Sequence, residues 1–195
     1  MKLLSKSNSK LYKDGILTFG LPAGKTCPGA GACKEICYAQ KGCYRFRNVK
    51  AVQENRLTAT LRRDFEHVIF AELKGLRKKP VAVRIHDSGD FYSQEYLDKW
   101  MRIANMNPSI TFYAYTKSLD LDFSKRPPNM LIIASAGSIY DDRIIDLVLG
   151  GSVDTAATVV DSVDSIAAGS VDSSDSDLIA IDAAKNGKLI ALIKH

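Results

Sequence analysis

Along the first 150 residues, apolar positions switch between a period near two and a period near three and a half, and the switches mark out the elements. After a polar, Lys/Ser-rich lead, residues 16–21 form a short apolar run closed by Pro22 and Gly24, which predicts a first strand entering a loop. From Asn48 to about Lys78, the residues Val52, Leu57, Leu61, Phe65, Val68, Ile69 and Leu73 recur at mostly helical spacing. That predicts one helix, capped by Asn48 and ended before Pro80. Residues 81–86 (VAVRIH) and 110–115 (ITFYAY) read as strands. Between them, 93–105 reads as a helix capped by Ser93, with Tyr96, Leu97, Trp100, Ile103 and Ala104 facing inward. Residues 130–134 (MLIIA) predict a further strand and 141–149 a further short helix.

Strand, helix, strand in repetition is the pattern of a parallel sheet. The fold class expected is α/β: a partial β/α barrel or an open, mostly parallel sheet with flanking helices, with a cysteine loop after the first strand. Residues 1–150 are expected to form an α/β metal-binding domain. Residues 151–195, where Ser and Asp dominate, are expected to be an extension packing on the same domain, with short strands at 159–160, 178–181 and 188–193. The stretch 162–177 offers few large apolar side chains, so it is expected to be the least tightly packed part of the chain.

Composition changes this picture little: 195 residues, 46% hydrophobic and 25% charged, suit one globular domain. No run approaches the roughly 18–20 apolar residues of a membrane span, and no signal-peptide core follows the first residues, so a cytoplasmic location without membrane attachment is expected. The net charge of +5 divides unevenly, with seven acids and three bases in 151–195 and a net +9 in 1–150. A basic body attracts nucleic acid or any other anionic ligand, although solvated charge explains it equally well.

The sharpest chemistry lies in Cys27, Cys33, Cys37 and Cys43, spaced Cys-x5-Cys-x3-Cys-x5-Cys in a loop that also carries Pro28, Gly29, Gly31 and Gly42. A reducing compartment favours metal ligation over disulfides for cysteines so grouped. Structural zinc sites usually pair thiolates as Cys-x2-4-Cys, and only Cys33 and Cys37 match. An iron–sulfur cluster, most simply 4Fe–4S, is therefore the expected cofactor, with zinc as the alternative. Lys25, Lys34, Lys41, Arg45 and Arg47 would lower thiolate pKa values nearby, if they are more than solvent-facing charge.

In parallel β/α folds, chemistry collects where strands end in loops. That rule nominates His86, Asp87 and Asp90 after the second strand, and Tyr115 and Lys117 after the third, as candidate catalytic or ligand-binding residues. The plainer reading makes HDSGD a turn in which Asp90 caps the next helix, and makes Tyr115 packing. At least two of the five are expected to line a cavity reaching the metal site if the rim is functional.

CPGAGACKEICYAQKG (27–42), VRIHDSGDFYSQEYLDKW (83–100) and FYAYTKS (112–118) together resemble the phage gene product 88 family, over about residues 21–138. The resemblance implies a viral origin and a cysteine-bound metal centre, and brings no settled reaction. More distantly, the loop is similar to that of the radical S-adenosylmethionine enzymes, whose usual form is Cys-x3-Cys-x2-Cys; here Gln40 stands where their third cysteine falls. The phage family pattern also has cysteines near the C-terminus, whereas this chain has none after Cys43 and has Ser162, Ser173, Ser174 and Ser176 in that stretch. Two further function classes stay open. One is a metal protein without catalysis. The other is a nucleic-acid-binding replication initiator using Tyr113 or Tyr115 near Lys117, although the His-hydrophobic-His motif of such proteins is absent.

Overall fold

The computed structural model describes residues 2–6, 9–160, 170–172 and 176–193. Its strands are β1 (Ile16–Phe19), β2 (Ala82–Ile85), β3 (Thr111–Thr116), β4 (Met130–Ser135), β5 (Thr155–Val160), β6 (Val171–Asp172) and β7 (Ile190–Ile193). All pair in parallel, in the order β1-β2-β3-β4-β5-β7-β6. Sequential order over the first five strands is the winding of a β/α barrel, and β1 and β6 are the two edges of this open sheet. The expected α/β class, with the strands near 16, 81, 110 and 130 parallel in one sheet, is what the chain adopts. Ser5 covers the outer edge of β1 through an antiparallel bridge to Thr18. Residues 155–160, 171–172 and 190–193 extend the same sheet.

The helices are α1 (Ser9–Lys13), α2 (Cys33–Ile36), α3 (Arg47–Thr60), α4 (Phe65–Lys74), α5 (Gln94–Asn105), α6 (Ile144–Leu149) and α7 (Asp177–Lys185). Side chains alternate along each strand, so the sheet buries two distinct layers. On one face Leu17, Phe19, Val83, Ile85, Phe112 and Ala114 meet α4, α5 and α6. There Trp100 is fully buried, its ring 5.2 Å from that of Phe19 and 5.7 Å from that of Phe65. On the other face Ile16, Ala82, Tyr113, Leu131 and Ile133 meet Leu11 of α1 and the small apolar side of α7.

Three expectations are corrected. The helix expected over 48–78 is two helices. Thr60 Oγ1 bonds the Leu57 carbonyl (2.6 Å) and Tyr92 Oη (2.7 Å), and Arg62 clasps Asp64 through two bonds, which ends α3. A new direction then lets Phe65, Ile69 and Leu73 of α4 enter the core, while Val52 and Leu61, counted as inward, are exposed. The cap of α3 is Phe46 rather than Asn48. Residues 178–181 are helical, because Ser176 caps α7 by accepting from the Leu178 N–H (3.2 Å) and Ala180, Ile181 and Ala184 share a buried side. The expected Ser93 cap of α5 is present, accepting from the Tyr96 N–H at 3.3 Å. The stretch 162–177 lies largely outside the described residues, as do Ser162, Ser173, Ser174 and His195. Ser176, at its end, donates to Asp14 at 2.7 Å.

Candidate metal centre

The loop that leaves β1 folds back over the carboxyl ends of β2, β3 and β4 and is fastened there by its own backbone. The Leu21 N–H donates to the Ser88 carbonyl (2.8 Å) and the Asp90 N–H to the Thr26 carbonyl (3.0 Å). Ala30 bridges Ser138, and Ser138 Oγ donates to the carbonyls of Gly29 (3.0 Å) and Lys117 (2.6 Å). Gly29 presses so close to the Lys117 carbonyl that a Cβ there would overlap it. Gly89 combines a φ of +78° with Leu21 and Thr26 at its back, a place only glycine fills without strain.

This loop holds Cys27, Cys33 and Cys37, each half-buried, within electrostatic range of one another. Burial pushes the Cys27 thiol up to about 11; the Gly24 N–H donated to its Sγ (3.4 Å) opposes this, and the Asp90 carboxylate and the other two thiols add to it. Burial also raises Cys33, against the pull of the Lys117 ammonium. Such thiols stay protonated at neutral pH and are poor nucleophiles as free groups. Cys43 is exposed on a separate 3-10 turn, beside Tyr44. Among the described residues, no group of three or more His, Cys, Asp or Glu side chains is placed to hold a metal ion. The donor set therefore does not fit a closed single-ion zinc site, which needs four ligands drawn within bonding distance of one atom. What the loop does bring together is three neighbouring thiols with the Lys117 ammonium beside Cys33.

The five rim candidates meet different fates. Asp90 is buried, and its carboxylate accepts from Thr116 Oγ1 (2.7 Å), the Lys117 N–H (2.7 Å) and the Phe91 N–H (2.7 Å); it fastens the end of β3 instead of capping α5. Burial raises its pKa to about 6 against those three bonds. His86 is buried with φ +70°, its Nε2 3.0 Å from Tyr96 Oη and its ring 4.6 Å from that of Phe91; burial lowers its pKa to about 3. It sits in the apolar layer rather than on an open rim. Thr18 Oγ1 donates to Asp87 Oδ2 (3.3 Å), and the Asp87 carbonyl accepts from Tyr38 Oη (2.6 Å) and Tyr44 Oη (3.4 Å). Tyr115 lies under the Arg84 guanidinium, 5.1 Å from ring centre to Cζ. Lys117 Nζ donates to the Ala136 carbonyl (2.7 Å) and to Ser135 Oγ, near Cys33. The described cavities, of about 440 and 230 Å³, lie elsewhere, and none of the five lines them.

Sequence reasoning passed over the polar group on the α7 face of the sheet. Arg84 Nη1 donates to Asp177 Oδ2 (2.8 Å), and Tyr113 Oη donates to the same oxygen (2.6 Å). The signal was an arginine inside the apolar run VAVRIH, two positions from Ala82 and so on the same face.

These observations define a class: an open parallel β/α sheet whose first connection is a cysteine loop bound to the carboxyl edge. The chain belongs to the family described as Gene product 88, whose profile it matches over residues 2–195. It is 35% identical over 112 residues to the gene 88 protein of Mycobacterium phage L5, covering 51% of this chain and 47% of that one. To the gene 88 protein of Mycobacterium phage D29 it is 30% identical over 139 residues, 58% of each chain. The chain thus spans about half the length of the curated relatives it matches. No solved structure matches it, and among the described residues no helix is long and apolar enough to cross a membrane.

Proposed function

We propose that this chain is an iron–sulfur protein in which Cys27, Cys33 and Cys37 hold the cluster, with 4Fe–4S the form that three thiolates suit. The observation that carries the reading is the grouping of these thiols, apart from Cys43, on a loop locked to the carboxyl edge with the Lys117 ammonium beside Cys33. When bound, such a cluster supplies one-electron chemistry or an iron with an open position. The chain's own residues do the rest. The Gly24 N–H directs a hydrogen bond at the Cys27 sulfur, Lys117 offsets thiolate charge, and Asp90 fixes the strand end from which Lys117 projects. A reducing compartment, such as the cytoplasm of a host cell, is where half-buried thiols of this kind stay available.

Anaerobic reconstitution with iron and sulfide, followed by visible absorption and iron and acid-labile sulfide assays, tests it. Cluster absorption that is lost in Cys27→Ser, Cys33→Ser and Cys37→Ser and kept in Cys43→Ser is the expected result. Stoichiometric zinc without sulfide, or a cluster that depends equally on Cys43, sinks the three-cysteine assignment.

A further inference from the structure

At the opposite edge of the sheet, where β1 and β2 begin, lies a groove of about 440 Å³ lined by five cations, Lys6, Lys13, Arg77, Lys78 and Lys79, against one acid, Asp14. The groove is set by the turn that brings α1 into β1 and by the segment between α4 and β2, with Leu17 and Leu76 in its lining. Its volume falls within the roughly 300–1,000 Å³ typical of small-ligand sites.

The charges are not balanced from within. Asp14 already accepts from Ser176 Oγ at 2.7 Å. Lys79 Nζ donates to the Leu73 and Lys74 carbonyls that end α4, at 2.6 and 3.2 Å, and Lys6 Nζ lies 4.9 Å over the Tyr12 ring. Lys13, Arg77 and Lys78 are exposed and enter no ion pair among the described residues. A concave wall with cations of one sign focuses potential into the groove and repels itself until an anion enters. A ligand with one negative charge leaves most of that repulsion in place, whereas adjoining phosphates match several cations at once.

We propose that this groove binds phosphate-bearing ligands, nucleotides either free or joined in a single strand, through Lys13, Arg77 and Lys78. The half-exposed Tyr12 ring offers the apolar surface that a base would cover. The proposal stands apart from the cysteine loop, which leaves the other end of β1, so the two readings fail independently.

The test uses the full chain with two probes at low salt, a fluorescein-labelled oligo(dT) and inorganic tripolyphosphate, with ATP as competitor. Binding of either probe is expected to weaken at least about tenfold in Arg77→Glu/Lys78→Glu, and the oligo(dT) salt slope to fall by about 1 to 2 as two phosphate contacts are lost. Arg77→Gln/Lys78→Gln should show the same trend with smaller loss. Lys125→Glu/Arg143→Glu, an equal charge change outside the groove, should stay within about twofold of the unmodified chain. Displacement by ATP assigns the site to free nucleotides, and its failure to displace oligo(dT) assigns it to a strand; both support the proposal. It is overturned if neither probe binds, if the groove variants bind undiminished, or if the control variant loses as much.

Discussion

The two faces of the sheet handle polar groups in opposite ways. The α5 face pushes its titratable groups toward their neutral forms: burial among Phe91, Tyr96 and the strand ends holds His86 well below and Asp90 above the ordinary range. The α7 face keeps its charges and pairs them, Arg84 against Asp177 with Tyr113 donating to the same carboxylate. The first face is filled by large aromatic side chains, and its buried cation, Arg56, lies over the Phe19 ring rather than against a carboxylate. The second is covered by the small residues Ala180, Ala183 and Ala184, so an arginine can lie along the sheet over Tyr115. Stability should therefore reside mainly in the first face and the docking of α7 in the second.

Removing the centre of the aromatic layer breaks that division most directly. Trp100→Ala empties the space between Phe19, Phe65 and Phe112 and is expected to lose about 3–5 kcal/mol in urea unfolding. A loss under about 1 kcal/mol would show that the layer is not the main core.

Asp177→Ala comes next. It leaves Arg84 without its ion pair, and the side chains are 21% and 10% exposed, so the expected loss is about 2–3 kcal/mol, below the 3–5 of a fully buried pair. Amide exchange should accelerate in α7 and β7 before it does in α5. The double variant Arg84→Met/Asp177→Leu should recover much of the loss, because no uncompensated charge remains. A double variant as unstable as Asp177→Ala alone would mean that the pair contributes more than an apolar contact would.

What could be read from the sequence follows the same line. The first four strands were legible because each is a short apolar run between turn residues, and α5 because Ser93 and the Tyr96–Trp100–Ala104 spacing agree. The break at residues 61–64 was not, since apolar spacing continues through it, and the interruption depends on Tyr92, which lies 32 residues beyond Thr60. Helix α7 escaped because LIAI reads equally as strand, and what decides is a partner in β2, 93 residues away. At the candidate centre the cysteines were visible at once. Whether Cys43 belongs with the other three was not, because that rests on where the loop runs: Gly137 meets Cys33 and Lys117, while Cys43 is exposed.

The smallest effect, and the one that sharpens the contrast between the faces, is in pH. His86 has a folded pKa near 3 against about 6.5 unfolded, so its contribution is complete above pH 6.5 and is lost as pH falls toward 3. Asp90, near 6 folded against about 3.8 unfolded, favours the folded state below pH 3.8, and that preference is lost as pH rises through 6. Between about pH 4 and 6 the folded chain lacks one proton at His86 and holds one extra at Asp90, so the two slopes oppose and these groups leave stability nearly flat. Asp90→Asn removes one of them; stability should then fall by up to about 1.4 kcal/mol for each unit of acidification in that window. It should also carry a constant loss of about 1–3 kcal/mol, because an amide NH₂ faces the Lys117 N–H. His86→Asn keeps a residue that tolerates the positive φ and removes the other group, so stability should rise on acidification by a similar slope. Urea midpoints at pH 4, 5 and 6 decide it: parallel profiles in both variants would mean that neither group is neutral in the folded protein, and the contrast between the faces would fall with it.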